Sequence, residues 1–188
     1  MIFMNKKIKI LGIVGSLRKD SFNKALMNYA LSVKLDNAEI EVADISQIPI
    51  FNQDLESQVP ESVKTFKAKI KEADAILIST PEYNYSIPGG LKNAIDWASR
   101  PYGDNSFDGK IVGMMSGSGG NIGGARAQYH LRQVFVFLNM HPINKPEVII
   151  PMIHEKIDEN GVLTDERTKK KIEELLQALI NHAKKLND

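Results

Sequence analysis

Apolar runs and amphipathic helical patterns alternate along nearly the whole chain, and this alternation limits the fold more than any other feature. The runs are KIKILGIV, EIEVADI, ADAILIST, KIVGMMS and PEVIIP, beginning at Lys7, Glu39, Ala73, Lys110 and Pro146. Val, Ile and Leu fill them almost continuously, as in parallel strands covered on both faces. Helical periodicity lies between them. Leu26, Tyr29, Ala30 and Val33 recur at spacings of three and four, and Val63, Phe66 and Ile70 follow Pro60. Leu91, Ala94, Ile95 and Ala98 follow Pro88, and Ala127, Leu131, Val134, Phe135 and Leu138 form a fourth set. The fifth set is Ile172, Leu175, Leu176, Leu179, Ile180 and Ala183, with Thr164 as its expected cap and Asp165 and Glu166 complementing the helix dipole.

Five strands alternating with five helices predict an open parallel sheet with helices on both faces. Right-handed crossovers leave few topologies, and the five-stranded order 2-1-3-4-5 of flavodoxin-like α/β sandwiches is the expected one. No repeat or linker divides the chain, and 188 residues suit one domain spanning residues 1–188.

Composition narrows the function. The formal net charge is +1, so no overall field holds nucleic acid or an anionic membrane. Cysteine is absent, which excludes disulfides, thiolate metal sites and thiol nucleophiles. The opening MIFMNKKIKILGIVG has lysines within its apolar run and does not resemble a signal peptide, and no segment approaches the length of a membrane span. A cytoplasmic protein is the expectation. The four histidines, His130, His141, His154 and His182, have no metal-ligand spacing, so neither a metal site nor a histidine-based catalytic residue is expected.

Ligands of such sheets bind beyond the carboxyl ends of the strands, where the strand order reverses. The loops there are the most unusual stretches of the chain: GSLRKDSFN from Gly15, TPEYNYSIPGG from Thr80 and SGSGGNIGG from Ser116. In the first, Ser16, Ser21 and Asn23 supply neutral donors, Arg18 a bidentate cation, and the helix start free N–H groups. Together they suit one terminal phosphate; the plainer alternative is that Ser21 or Asn23 only caps the helix. The Gly-Lys-Ser/Thr ending of a Walker loop is missing, and Gly12 and Gly15 lack the third glycine of the dinucleotide fingerprint. The second loop, Pro81, Glu82, Tyr83, Asn84, Tyr85, Ser86, Ile87 and Pro88, offers flat aromatic faces and backbone amides to a planar ring, or else is a rigid surface turn. Glu82 is expected to be a hydrogen-bonding group and not a base. The third loop is nearly bare of side chains, so backbone can approach a ligand closely; a flexible turn is its plainer reading.

These three stretches together resemble the NADPH-dependent FMN reductase family, which includes FMN-dependent quinone, chromate and azo-dye reductases. STPEYNYSIPGGLKNAIDWASRP, from Ser79, is the most specific of them, and the likeness runs from about Ile8 to about Pro151. The resemblance implies FMN as cofactor and NADPH or NADH as co-substrate. It places Ser16, Arg18, Ser21 and Asn23 at the phosphate, with the backbone N–H of Phe22. It places Pro81, Glu82, Tyr83, Asn84 and Tyr85 beside the isoalloxazine and ribityl chain, and Ser116, Gly117, Gly119 and Gly120 at the pyrimidine edge of the ring.

The resemblance also implies a homodimer or homotetramer with the flavin near a subunit boundary, where Trp97, Arg100 and Tyr102 are candidates unless Trp97 is simply core. The implied cycle passes hydride from NAD(P)H to flavin N5 and then electrons to a small-molecule quinone, azo, chromate or flavin acceptor. Arg100 and Arg126 are candidate cations for a 2′-phosphate. The competing readings are a flavodoxin-like one-electron carrier, which the near-neutral charge disfavours, and a non-catalytic scaffold.

Overall fold

The computed structural model describes residues 7–187, so the reading made of the first residues falls in part outside them. In chain order the elements are β1 (Ile8–Val14), α1 (Phe22–Ser32), β2 (Ala38–Ala43), α2 (Glu61–Glu72), β3 (Ala75–Thr80) and α3 (Gly89–Ala98). β4 (Ile111–Gly117), α4 (Ala125–Leu138), β5 (His141–Pro142), β6 (Val148–Ile150) and α5 (Glu166–Asn187) complete it. The strands pair in the order β2-β1-β3-β4-β5, all parallel, with β6 also on β4. This is the flavodoxin-like order the alternation predicts.

The sheet is buried on both faces. On one, Ile8, Ile10 and Leu77 meet Leu26 and Met27 of α1 and Leu175 and Leu179 of α5. On the other, Leu11, Ile13 and Ile78 meet Phe66 and Ile70 of α2, Leu91 and Ile95 of α3, and Leu131 and Phe135 of α4. β3 and β4 are buried at every position, which is why their sequences do not alternate. The stripe of α5 from Ile172 to Ala183 is buried throughout, and each of its leucines and isoleucines contributes about 1.5–3 kcal/mol by leaving water.

Two expectations need correction. The fifth position of the sheet is held by two pieces and not one strand. His141 and Pro142 pair with Ile111 and Val112, while Val148–Ile150 pair with Met115–Gly117. Pro142 and Pro146 bring no N–H to the ladder, so pairing breaks between the pieces. Thr164 does not cap α5. Its N–H and hydroxyl both donate to the Lys156 carbonyl, closing the turn before the helix, and Asp165 takes the cap. The Asp165 carboxylate accepts from the Thr168 hydroxyl at 2.6 Å and the Thr168 N–H at 2.8 Å, and these bonds hold it below the usual carboxylate range.

Candidate functional site

The loops after β1, β3 and β4 converge at the carboxyl ends of the three central strands. The Gly15 N–H donates to the Ser79 carbonyl at 2.8 Å, tying the first loop to β3. Asn23, buried at the start of α1, ties it to β4. Its Nδ2 donates to the Gly117 carbonyl at 3.0 Å and its Oδ1 accepts from the Gly117 N–H at 3.1 Å. The Ser79 hydroxyl donates to the Asn23 carbonyl at 2.8 Å. One amide side chain therefore fixes the spacing of loops that are 94 residues apart in sequence.

The first loop leaves several donors uncommitted. Ser21 caps α1, its Oγ accepting from the Asn23 N–H at 3.2 Å. Ser16 is buried, and its Oγ accepts from the Arg18 N–H at 3.4 Å. Among the described residues the N–H groups of Ser16, Leu17 and Phe22 have no protein partner. Among the described residues the exposed Arg18 guanidinium makes one hydrogen bond, to the Asp20 carbonyl at 3.4 Å. A helix start, free amides and an unpaired guanidinium make an anion cradle.

The second loop is a tight two-residue turn. The Tyr83 and Ser86 backbones exchange two hydrogen bonds of 2.9 Å, and both central residues have positive φ, 49° at Asn84 and 67° at Tyr85. That is the type I′ pattern, which asparagine tolerates and tyrosine does not, at a cost of about 1–3 kcal/mol. Three contacts with α4 hold the turn. The Glu82 side chain, 7% exposed, accepts from the Arg126 N–H at 3.1 Å and pairs with its guanidinium. That guanidinium lies 3.5 Å from the centre of the Tyr85 ring, and His130 Nδ1 lies 2.9 Å from the Ser86 hydroxyl. The central N–H groups of Asn84 and Tyr85 remain without a partner among the described residues. Pro81 is buried beneath the turn, and Tyr83 and Tyr85 are exposed.

Glu82 thus works as an anchor. Glu82→Gln is expected to weaken the turn by about 1 kcal/mol, or roughly 5-fold in the affinity of any ligand bonded to it. Titration of FMN into the variant checks this; an unchanged dissociation constant would show that the turn holds itself.

In the third loop the polar groups divide. Ser116 is buried and saturated: its Oγ donates to the Gly123 carbonyl and accepts from Gln128 Nε2, both at 2.8 Å. A Cβ at Gly117 would sit 2.1 Å from Ile153 Cδ1, so that side chain would have to shift to admit one. Gly123, at φ 64°, would place a Cβ 2.7 Å from the Pro151 nitrogen, so both conformation and contact require glycine. Gly119 and Gly120 differ, since their N–H groups face no protein acceptor among the described residues and a Cβ on Gly120 would meet nothing within 4 Å.

The structure therefore brings the sequence-selected residues of all three loops to one place, but in two layers. Ser16, Arg18, Phe22, Tyr83, Asn84, Tyr85, Gly119 and Gly120 offer open groups. Asn23, Glu82, Ser116 and Gly117 are bonded to one another or to α4 and support the rest. Sequence reading missed Leu17, 55% exposed in the first loop; an apolar side chain among donors was its only signal. Of the other residues singled out, Arg126 holds the second loop, and Trp97, Arg100 and Tyr102 have their partners elsewhere. Trp97 is core, 1% exposed, with Nε1 donating to the Pro49 carbonyl at 2.8 Å and its ring edge-on to Phe51. Arg100 pairs with Glu56 at 2.6 Å and lies 3.7 Å from the Tyr102 ring centre, so neither Arg100 nor Arg126 is an unpaired cation. Among the described residues no group of three or more His, Asp or Glu could hold a metal, and no helix is long and apolar enough to cross a membrane.

Comparison with known proteins identifies the family. Residues 8–155 match the family described as NADPH-dependent FMN reductase. An NAD(P)H-dependent FMN reductase of Pseudomonas aeruginosa is 49% identical over 94% of this chain and 95% of its own. An NAD(P)H:quinone oxidoreductase of Solanum tuberosum is 50% identical over 95% of this chain and 94% of its own. Among solved structures, the flavoenzyme NAD(P)H:(acceptor) oxidoreductase FerB of Paracoccus denitrificans superposes with a TM-score of 0.86. It is 39% identical, over 95% of this chain and 98% of its own. The match takes in β1 through β6 with all three loops, and on that basis the chain belongs to the NADPH-dependent FMN reductase family of oxidoreductases.

Proposed function

We propose that the chain is a single FMN-binding domain that oxidises NAD(P)H and passes the electrons to a quinone-type acceptor. One observation carries the reading: three loops with uncommitted amides and one unpaired guanidinium meet beyond β1, β3 and β4. The donor set fits FMN. The dianionic phosphate suits Ser16, Arg18 and the α1 start at Ser21 and Phe22, where positive partial charge and a guanidinium coincide. The polar edge of the ring suits the free N–H groups of Asn84, Tyr85, Gly119 and Gly120. Pro81 and Tyr83 supply flat apolar surface, while Glu82, Asn23, Ser116 and Gly117 fix the backbone that makes these contacts.

FMN, when bound, supplies the redox chemistry: its N5 accepts hydride from NAD(P)H, and its reduced ring gives electrons to a quinone, azo, chromate or flavin acceptor. The protein binds and orients. The Glu82–Arg126 pair keeps the turn from shifting, and the glycines of the third loop leave room on one side of the site. No side-chain nucleophile or metal enters this scheme. Assembly into a homodimer or homotetramer belongs to the same reading, with Tyr102, 78% exposed, on the outside of the subunit and Trp97 excluded by burial.

An absorption spectrum of the purified chain tests the proposal. A flavin band that NADPH bleaches under anaerobic conditions, and that a quinone restores, is the expected result. A bound flavin that neither NADPH nor NADH bleaches indicates a carrier instead. A colourless protein that takes up no added FMN overturns the reading.

A further inference from the structure

Beyond β6 the chain turns back along the third loop, and three backbone bonds fix its course. The Ser118 N–H donates to the Ile150 carbonyl at 3.2 Å, the Met152 N–H to the Gly120 carbonyl at 3.2 Å, and the Ile153 N–H to the Ser118 carbonyl at 3.0 Å. Met152 makes the turn at φ 47°, a left-handed conformation that costs a methionine energy, and strain of this kind gathers at functional sites. Ile153 is fully buried, while His154 beside it is exposed. The imidazole is thereby set against Gly119, where a Cβ would lie 3.7 Å from His154 Nδ1. The loop from Ser116 to Gly124 carries no charged side chain, and on the turn of His154 itself Glu155 is exposed and Lys156 half-buried. His130 and His182 have Nδ1 engaged, with the Ser86 hydroxyl and the Ala178 carbonyl, but His154 has no hydrogen bond or ion pair among the described residues. An uncommitted imidazole therefore stands beside the uncommitted N–H groups of Gly119 and Gly120.

We infer that His154 belongs to the flavin site, its imidazole facing the pyrimidine edge of the ring and stabilising the charge that reduction places there. The inference rests on the reading of the three loops as an FMN site and adds to it one side chain and a role. Hydride passing from NAD(P)H to N5 oxidises the nicotinamide to NAD(P)+ and adds one negative charge to the ring, shared by N1 and O2. The Gly119 and Gly120 amides aim partial charges at that edge, whereas an imidazolium brings a full one. The contact is thus stronger to reduced than to oxidised FMN, and such a difference raises the midpoint potential of the bound flavin. Because the imidazole holds no other group of the protein, its loss changes the potential without loosening the fold.

Two measurements test this together: titration of FMN into apoprotein, and the midpoint potential of the bound flavin read spectroscopically against a reference dye. His154→Ala is expected to leave the dissociation constant of oxidised FMN within about 2-fold of wild type and to weaken binding of reduced FMN about 5- to 10-fold. For a two-electron couple that is a potential about 20–30 mV lower. The melting temperature of the FMN-free chain should not move, since the side chain is exposed and without a partner among the described residues. His154→Arg keeps a cation and should hold the potential at or above the wild-type value. His154→Gln keeps a donor without the charge and should recover less. A wild-type potential in His154→Ala, an equal weakening of oxidised and reduced FMN, or no recovery in His154→Arg overturns the inference. A wild-type protein that takes up no FMN defeats the functional reading and this inference with it, whereas an unmoved potential in the FMN-loaded variant defeats this inference alone.

Discussion

Arg18→Ala is expected to raise the FMN dissociation constant about 10- to 150-fold, the equivalent of about 1.5–3 kcal/mol for a charge-assisted contact to phosphate. The melting temperature of the FMN-free chain should barely move. The structure separates the two effects. The side chain is exposed, and among the described residues its one hydrogen bond is to the Asp20 carbonyl at 3.4 Å, too long to contribute much to folding. An uncommitted guanidinium of this kind is what the proposed phosphate contact requires. Arg18→Lys keeps the charge and loses the planar fork, so it should recover only part of the affinity. Fluorescence titration of FMN into apoprotein measures both variants. Stoichiometric binding at wild-type affinity by Arg18→Ala would remove Arg18 from the site.

Asn23→Ala acts on the fold itself, and its expected cost is about 2–4 kcal/mol of unfolding free energy. The amide satisfies both the N–H and the carbonyl of Gly117, at 3.1 and 3.0 Å, in a fully buried position. Truncation leaves both backbone groups dry and unpaired, and desolvation of each costs about 1–3 kcal/mol. Urea unfolding should show a lower midpoint at an unchanged slope. FMN affinity should fall as well, because the first and third loops lose their common fastening. A loss below about 1 kcal/mol would mean that water enters and replaces the amide.

The same residue shows where local reading ends. Ser-x-Asn before a helical pattern is legible as a cap, and Ser21 is one. Nothing near Asn23 announces Gly117. Thr164 and Asp165 make the point on a smaller scale: both suit a helix start, and the choice falls to Asp165 because the Lys156 carbonyl takes both donors of Thr164. Arg100 and Arg126 look like free cations in sequence, yet each meets a glutamate 44 residues away. Trp97 suits a boundary or a core by type alone, and only the position of Pro49 and Phe51 decides. The loop after β1 is the contrary case, since a strand end, a helix start and the residues between them are all local.

By itself the sequence determined the layers, the strand order and which three loops lie beyond the carboxyl ends of β1, β3 and β4. Period and apolar content act over a few residues, and right-handed crossovers leave them little choice of arrangement. Tertiary structure alone decided which polar groups of those loops stay open and which are used to hold the loops together. It also decided how β5 and β6 share one edge of the sheet. The reason is physical: a side chain's hydrogen-bond capacity is written in its type, but its partner is whichever group folding brings within about 3 Å, however distant along the chain.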